Sequence, residues 1–140
     1  MGVIRYFSEG VSFEVPYPRK TAAWIKSVIR INKSELKEIS FIFCSDDYLH
    51  TINKTFLNHT TLTDIITFDH SEKKGTLEGE IYISIDRVIE NAQKFKVSTE
   101  DEIRRVMIHG VLHLLGYKDK KSSEKRQMRK KEEACLSLFK

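Results

Sequence analysis

The sequence predicts an α+β fold built as one sheet-and-helix domain, and three observations lead there. Its 140 residues have the length of a single ordinary domain, enough to bury a core without cross-links. Short β-rich apolar runs are interspersed with stretches in which apolar residues recur at helical spacing. No internal repeat, low-complexity tract or linker interrupts them, so residues 1–140 are expected to form one domain.

The chain opens with two strand-like runs, residues 3–7 and 11–15, around the turn Ser8-Glu9-Gly10; this reads as a hairpin ended by Pro16 and Pro18. From Thr21, a ready N-cap, the residues Ala22, Trp24, Ile25, Val28 and Ile29 fall on one helical face, and that helix ends near Asn32. Residues 39–44 are apolar and β-rich. They stop at Ser45-Asp46-Asp47, a cap followed by acids that suit a helix dipole, and Tyr48, Leu49, Ile52 and Phe56 carry the helix that follows. Residues 57–63 lack periodicity and read as a loop. Residues 64–69 and 78–83 then read as strands of a second hairpin across Lys73-Lys74-Gly75. Val88, Ile89, Ala92 and Phe95 mark a helix over 86–95, and Ser98 caps a longer one opened by Thr99-Glu100-Asp101-Glu102. Residues 122–139 form a basic amphipathic helix with Met128, Cys135, Leu138 and Phe139 available for docking.

Composition removes several classes of function. With 40% hydrophobic and 31% charged residues, and no apolar run near the roughly 18 residues of a membrane span, no membrane association is expected. The first residues hold neither a continuous apolar core nor a small-residue cleavage site, and Tyr6 stands where myristoylation needs Ser or Thr; a cytoplasmic protein is expected. Cys44 and Cys135 have no paired spacing, which argues against a disulfide framework and a thiolate zinc knot. A net charge of +4 and a pI near 9.0 tilt the partner toward nucleic acid.

The chemistry-bearing residues sit at the end of the longer helix. From Val106 to Leu115 it is apolar almost all round, as a buried helix is, yet it contains His109 and His113. At about 100° per residue these lie roughly 40° apart, one turn along the same face. Gly116 follows where a left-handed residue would end the helix and turn the chain, bringing Asp119 back toward both rings. Two buried imidazoles without partners are costly, and one metal ion satisfies both. His109, His113 and Asp119 are thus read as ligands of one divalent ion, Zn2+ by donor type, with the fourth position left to water. That water, acidified toward about pKa 7, is the nucleophile, and no other catalytic residue is assigned. Metalloproteases place a general-base Glu directly after the first His; here that residue is Gly110, which disfavours peptide hydrolysis. The glycine admits either close approach of a substrate or close packing of the helix on the sheet.

At these residues the chain resembles the YbeY family of bacterial metal-dependent endoribonucleases, also described as ribosomal RNA maturation factors. The family hallmark His-Gly-x-Leu-His-Leu-x-Gly-Tyr-Asp-His is matched by His109-Gly110-Val111-Leu112-His113-Leu114-Leu115-Gly116-Tyr117-Lys118-Asp119. Thr63-Asp64-Ile65-Ile66-Thr67-Phe68-Asp69 is similar to the family's Thr-Asp-Val-Leu-Ser-Phe-Pro, Gly79-Glu80-Ile81 to its Gly-Asp-Ile, and Glu124 and Met128 stand at its downstream Glu and Met. The resemblance implies a small mixed β-sheet packed with helices around a buried metal-binding helix. It also implies a single-strand-specific endonuclease, a hydrolase of ribosome biogenesis, acting on the 3′ end of small-subunit ribosomal RNA, with the small subunit and its assembly factors as partners and no DNA. Two positions depart from the pattern. Asp119 replaces the third ligand His, a competent exchange for zinc. Phe56-Leu57-Asn58-His59-Thr60 replaces a segment with an arginine at the position of Leu57, leaving the phosphate charge to the metal or other cations, with His59 one candidate and a solvent-exposed loop histidine its alternative reading.

The cationic run after the motif includes Lys118, Lys120, Lys121 and Lys125, which are read with His59 as RNA contacts, a solvated helix face being the alternative. Asp64, Asp69 and Glu80 are candidate acceptors for ligand-histidine N–H groups, solvated strand-end acids being the alternative. Two rival functions follow from the same residues: a metal-dependent hydrolase or peptidase, and a non-catalytic ribosome assembly factor with a structural metal.

Overall fold

The computed structural model describes residues 2–56 and 64–139. The loop expected at 57–63, with Leu57, His59 and Thr63, lies outside the described residues. The elements run β1 (Val3–Glu9), α1 (Pro18–Ile31), β2 (Glu35–Cys44), α2 (Asp46–Phe56), β3 (Ile65–Asp69), β4 (Thr76–Ser84), α3 (Ile85–Phe95), α4 (Thr99–Leu114) and α5 (Ser122–Leu136). The strands form one mixed sheet in the order β1-β2-β4-β3, with β1, β2 and β4 parallel and β3 antiparallel to β4.

β2 is central and is buried on both faces from Ile39 onward, which is why its sequence is apolar at nearly every position there rather than alternating. Ile39, Phe41 and Phe43 enter the larger core with Ile81 and Ile83 of β4, while Cys44 joins Leu49, Ile52 and Ile66 in a smaller core under α2. The period of two along β4 separates these layers: Leu77, Ile81 and Ile83 point to the larger core and Tyr82 to the smaller.

The expected opening hairpin does not form. β1 lies parallel to β2, from Val3 opposite Glu38 to Glu9 opposite Cys44. β2 has two buried edges whose N–H and C=O groups must be paired, and β1 satisfies the second one. Phe13 and Val15 of the expected partner strand instead enter the core as single side chains, Phe13 with its ring 4.9 Å from that of Phe43. The expected cap at Thr21 is also displaced. α1 begins at Pro18, whose fixed φ and missing N–H suit a first turn, and the Thr21 hydroxyl donates to the Pro16 carbonyl at 3.0 Å. The second hairpin forms as expected between β3 and β4.

α4 starts as its sequence reads: Ser98 Oγ accepts from the Asp101 N–H at 3.0 Å, and Glu100, Asp101 and Glu102 face the helix dipole. Its middle is buried all round because β3 and β4, α3, α5 and α1 each take one side. Met107, Ile108, Val111 and Leu112 are fully buried, each contributing about 1.5–3 kcal/mol of apolar transfer. Gly110 is where α4 meets the sheet; a Cβ there would stand 2.9 Å from Ile81 Cγ2 and 3.0 Å from Ile65 Cδ1. Close helix-to-sheet packing therefore accounts for this glycine. α5 returns across α4, fixed at its far end by Trp24 Nε1 of α1, which donates to the Cys135 carbonyl at 2.7 Å.

Gly110→Ala should consequently destabilise the fold by about 1–3 kcal/mol, the usual cost of overpacking. Urea unfolding followed by circular dichroism reads this as a lower midpoint at unchanged slope. An unchanged midpoint would mean that α4 retreats from the sheet without cost.

Candidate metal centre

The last turn of α4 presents His109 and His113 on one face, and a Schellman turn then reverses the chain. Tyr117 N–H bonds the Leu112 carbonyl at 3.0 Å, Gly116 N–H bonds the His113 carbonyl at 3.0 Å, and Gly116 takes φ 108°, a conformation that side chains rarely adopt. Tyr117 packs on the core, and its hydroxyl reaches Asn32 Oδ1 at 3.3 Å, so the reversed segment is anchored. Asp119 is thereby delivered to the two rings.

Three atoms converge. His109 Nε2 and His113 Nε2 are 3.0 Å apart, and Asp119 Oδ2 lies 3.3 Å from the first and 3.5 Å from the second. Ligands held tetrahedrally around zinc at about 2.0–2.1 Å stand roughly 3.3 Å from one another, so this triangle has the dimensions of three corners of a zinc site. The two imidazoles keep 16% and 26% of their surface exposed, which leaves a fourth corner open to a cleft of about 190 Å³.

The hydrogen-bond network decides which ring nitrogens carry lone pairs. His109 Nδ1 meets Glu132 Oε2 at 2.5 Å, so its proton goes to the carboxylate and Nε2 is left as a lone pair. His113 hydrogen-bonds the Tyr117 backbone, whose N–H is already committed to Leu112; the carbonyl is the acceptor, and the His113 lone pair also turns inward. Two lone pairs and a carboxylate oxygen facing one another repel unless a cation lies between them. Burial is the largest influence on His109 and opposes its charged form, yet the Glu132 hydrogen bond and charge, then Asp119 and Asp64, hold its pKa above the ordinary value. Burial and then the charge of His109 push His113 down.

Glu132, 5% exposed, is itself held. Its Oε1 accepts from Arg105 Nη1 at 3.1 Å, and Arg105 forks onto the fully buried Glu102 at 2.9 and 2.7 Å. Burial acts against the Glu132 carboxylate, but His109 and Arg105 together keep its pKa below the usual value. The result is a ladder of alternating charge, His109, Glu132, Arg105 and Glu102, bridging α4 and α5.

Glu132 was not a sequence candidate. The acceptors expected at Asp69 and Glu80 are engaged elsewhere, Asp69 with the Ser71 N–H at 2.9 Å and Glu80 with His70 at 3.1 Å, and Asp64 acts on His109 only through its charge. The signal available in the sequence was an acid one helical turn beyond the buried Met128, paired in space with an Arg one turn before His109. Of the cations read as RNA contacts, Lys125 lines the cleft with His109 and Asp119, while Lys118, Lys120 and Lys121 are exposed on the approach to α5. Glu124 has a local role, accepting from the Lys121 N–H at 2.9 Å to start α5. His59 lies outside the described residues.

Comparison with known proteins places these residues in context. Residues 11–140 match the family described as Endoribonuclease YbeY. The chain is 47% identical over 137 residues to Endoribonuclease YbeY of Cytophaga hutchinsonii, covering 98% of this chain and 96% of that protein. With Endoribonuclease YbeY of Amoebophilus asiaticus it shares 49% identity over 129 residues, or 92% and 88% of the two chains. The solution structure of TM1509 from Thermotoga maritima superposes with a TM-score of 0.71 at 26% identity, covering 98% of this chain and 89% of that one.

Glu132→Gln keeps the shape of the side chain but removes the charge that fixes the His109 proton, and should weaken zinc affinity about 10- to 100-fold. Competition against a chromophoric chelator measures it. Wild-type affinity in this variant would show that Glu132 has no hold on the ligand.

Proposed function

The chain belongs to the YbeY family of endoribonucleases, and on that premise we propose that it cuts single-stranded ribosomal RNA with one zinc ion held by His109, His113 and Asp119. The enzyme class, a metal-dependent endoribonuclease and hence a hydrolase, comes with the family. The observation that carries the zinc reading is the triangle of two imidazole nitrogens and one carboxylate oxygen at 3.0 to 3.5 Å.

Zinc bound there would supply a Lewis acid for a phosphoryl oxygen and a water acidified to a nucleophile near neutral pH. The chain's own residues do the rest. Glu132 takes the hydrogen bond of His109 Nδ1, which leaves Nε2 as the ring nitrogen that faces the metal position. Arg105 pairs with both Glu132 and Glu102 and offsets one of their two negative charges, which lessens the negative field where a phosphate must come. The cations along α5 counter the charge of the RNA backbone. No glutamate follows His109, and Gly110 is packed against Ile65 and Ile81, so the site lacks the general base of a peptidase.

We read residues 1–140 as a single functional domain acting in the cytoplasm on small-subunit ribosomal RNA and its 3′ end, together with ribosome assembly factors. No helix among the described residues is long and apolar enough to cross a membrane, in keeping with such a setting.

Purified protein should carry close to one zinc per chain and cut single-stranded RNA, lose cleavage on chelation and regain it with added zinc. His113→Ala should lower both zinc affinity and RNA cleavage by on the order of 100-fold or more. Casein assayed in parallel should stay intact. Full RNA cleavage by His113→Ala, or hydrolysis of casein in place of RNA, would refute the assignment.

A further inference from the structure

Two cavities adjoin beside the metal centre, and they differ in chemistry. The cleft of about 190 Å³ that contains His109 and Asp119 is also lined by Lys125 and Arg129, one helical turn apart on α5. Neither side chain has an ion-pair partner among the described residues, whereas Arg105 beside them is committed to Glu102 and Glu132. Arg129 and Arg105 also line the second cavity, about 300 Å³, together with Glu102, Glu132 and Glu133, and its apolar wall is Phe95, Val97 and Leu136. Phe95 and Val97 are 53% and 43% exposed, an apolar wall left open to solvent where α3 ends and α4 begins. An uncommitted pair of cations leading into an open aromatic pocket, with the metal ligands at the other end, has the composition of a nucleotide site: phosphate on the cations, base on the ring.

From this we infer that Lys125 and Arg129 hold a backbone phosphate next to the scissile one, and that the cavity walled by Phe95, Val97 and Leu136 takes the unpaired base attached to it. This rests on the RNA reading above and adds the path of the strand. Glu133 sets the polarity of the subsite: of the carboxylates lining the cavity beside Phe95, Glu102 and Glu132 are paired with Arg105, while Glu133 has no ion-pair partner among the described residues and does not line the metal cleft, so it repels a phosphate from that cavity. A base held in a duplex cannot swing into the cavity, which makes the subsite a filter for single strands.

The test uses zinc-loaded protein and a fluorescein-labelled single-stranded oligoadenylate with a cleavage-resistant phosphorothioate backbone, read by anisotropy. Phe95→Ala should raise Kd roughly 5- to 100-fold and Phe95→Tyr should restore it. Arg129→Gln should weaken binding and reduce the slope of log Kd against log salt by about 0.7, the loss of one phosphate contact on a single strand. Zinc affinity should stay at the wild-type value in all three, and Ile89→Ala, an exposed apolar residue that lines neither cavity, should bind as wild type. A blunt duplex should bind more weakly and ignore Phe95→Ala. Wild-type binding by both Phe95→Ala and Arg129→Gln, in a protein that cuts RNA, overturns the subsite alone. A wild-type protein that leaves RNA uncut overturns the proposed function and the subsite together.

Discussion

Two imidazole nitrogens and a carboxylate oxygen stand 3.0 to 3.5 Å from one another at the end of α4, and the rest of the structure is arranged around keeping them there. Such a cluster is electrostatically unfavourable without a cation, so it persists only if each member is held from behind. The helix itself holds the histidines, since a turn of α4 buried on every side cannot rotate without opening the core. The Schellman turn holds Asp119, and the anchored ring of Tyr117 keeps that turn from unwinding.

The ladder from Glu102 through Arg105 and Glu132 to His109 serves the same end at some expense of stability. Burying two carboxylates costs several kcal/mol each before pairing, and a buried ion network of this kind is often no more stable than apolar residues of equal volume. What it provides is direction. A forked guanidinium holds Glu132 in one place, and Glu132 holds one proton on one nitrogen of His109. The charged side chains thus act as a rigid strut between α4 and α5.

The site also joins two scales of electrostatics. Close to the candidate ligands, the carboxylate of Asp119, where the resembled motif has a histidine, adds one negative charge to the centre and would leave a divalent ion held there half neutralised. Farther out, Lys125 and Arg129 face the same cleft and return positive potential to its mouth. α5 contributes to both, because residues four apart share a face: Met128 and Glu132 line the cleft from buried positions, and Lys125 and Arg129 line it from exposed ones.

Much of this was legible in the residues. Helical period and end signals located α4, its Ser98 cap and its Gly116 stop, and with them the three converging side chains, because an i,i+4 pair and a chain reversal are local geometry. The β3–β4 hairpin was legible for the same reason. The parallel partnership of β1 with β2 was not, since pairing between strands separated by a helix depends on which buried edge lacks a partner. Glu132, Arg105 and Glu102 also escaped, as their meeting depends on how α5 crosses α4, which no spacing within either helix encodes. The sequence by itself thus determined the candidate ligands and the turn that gathers them; only the tertiary structure decided what orients those side chains and which cations share their cleft, because those contacts join elements distant along the chain.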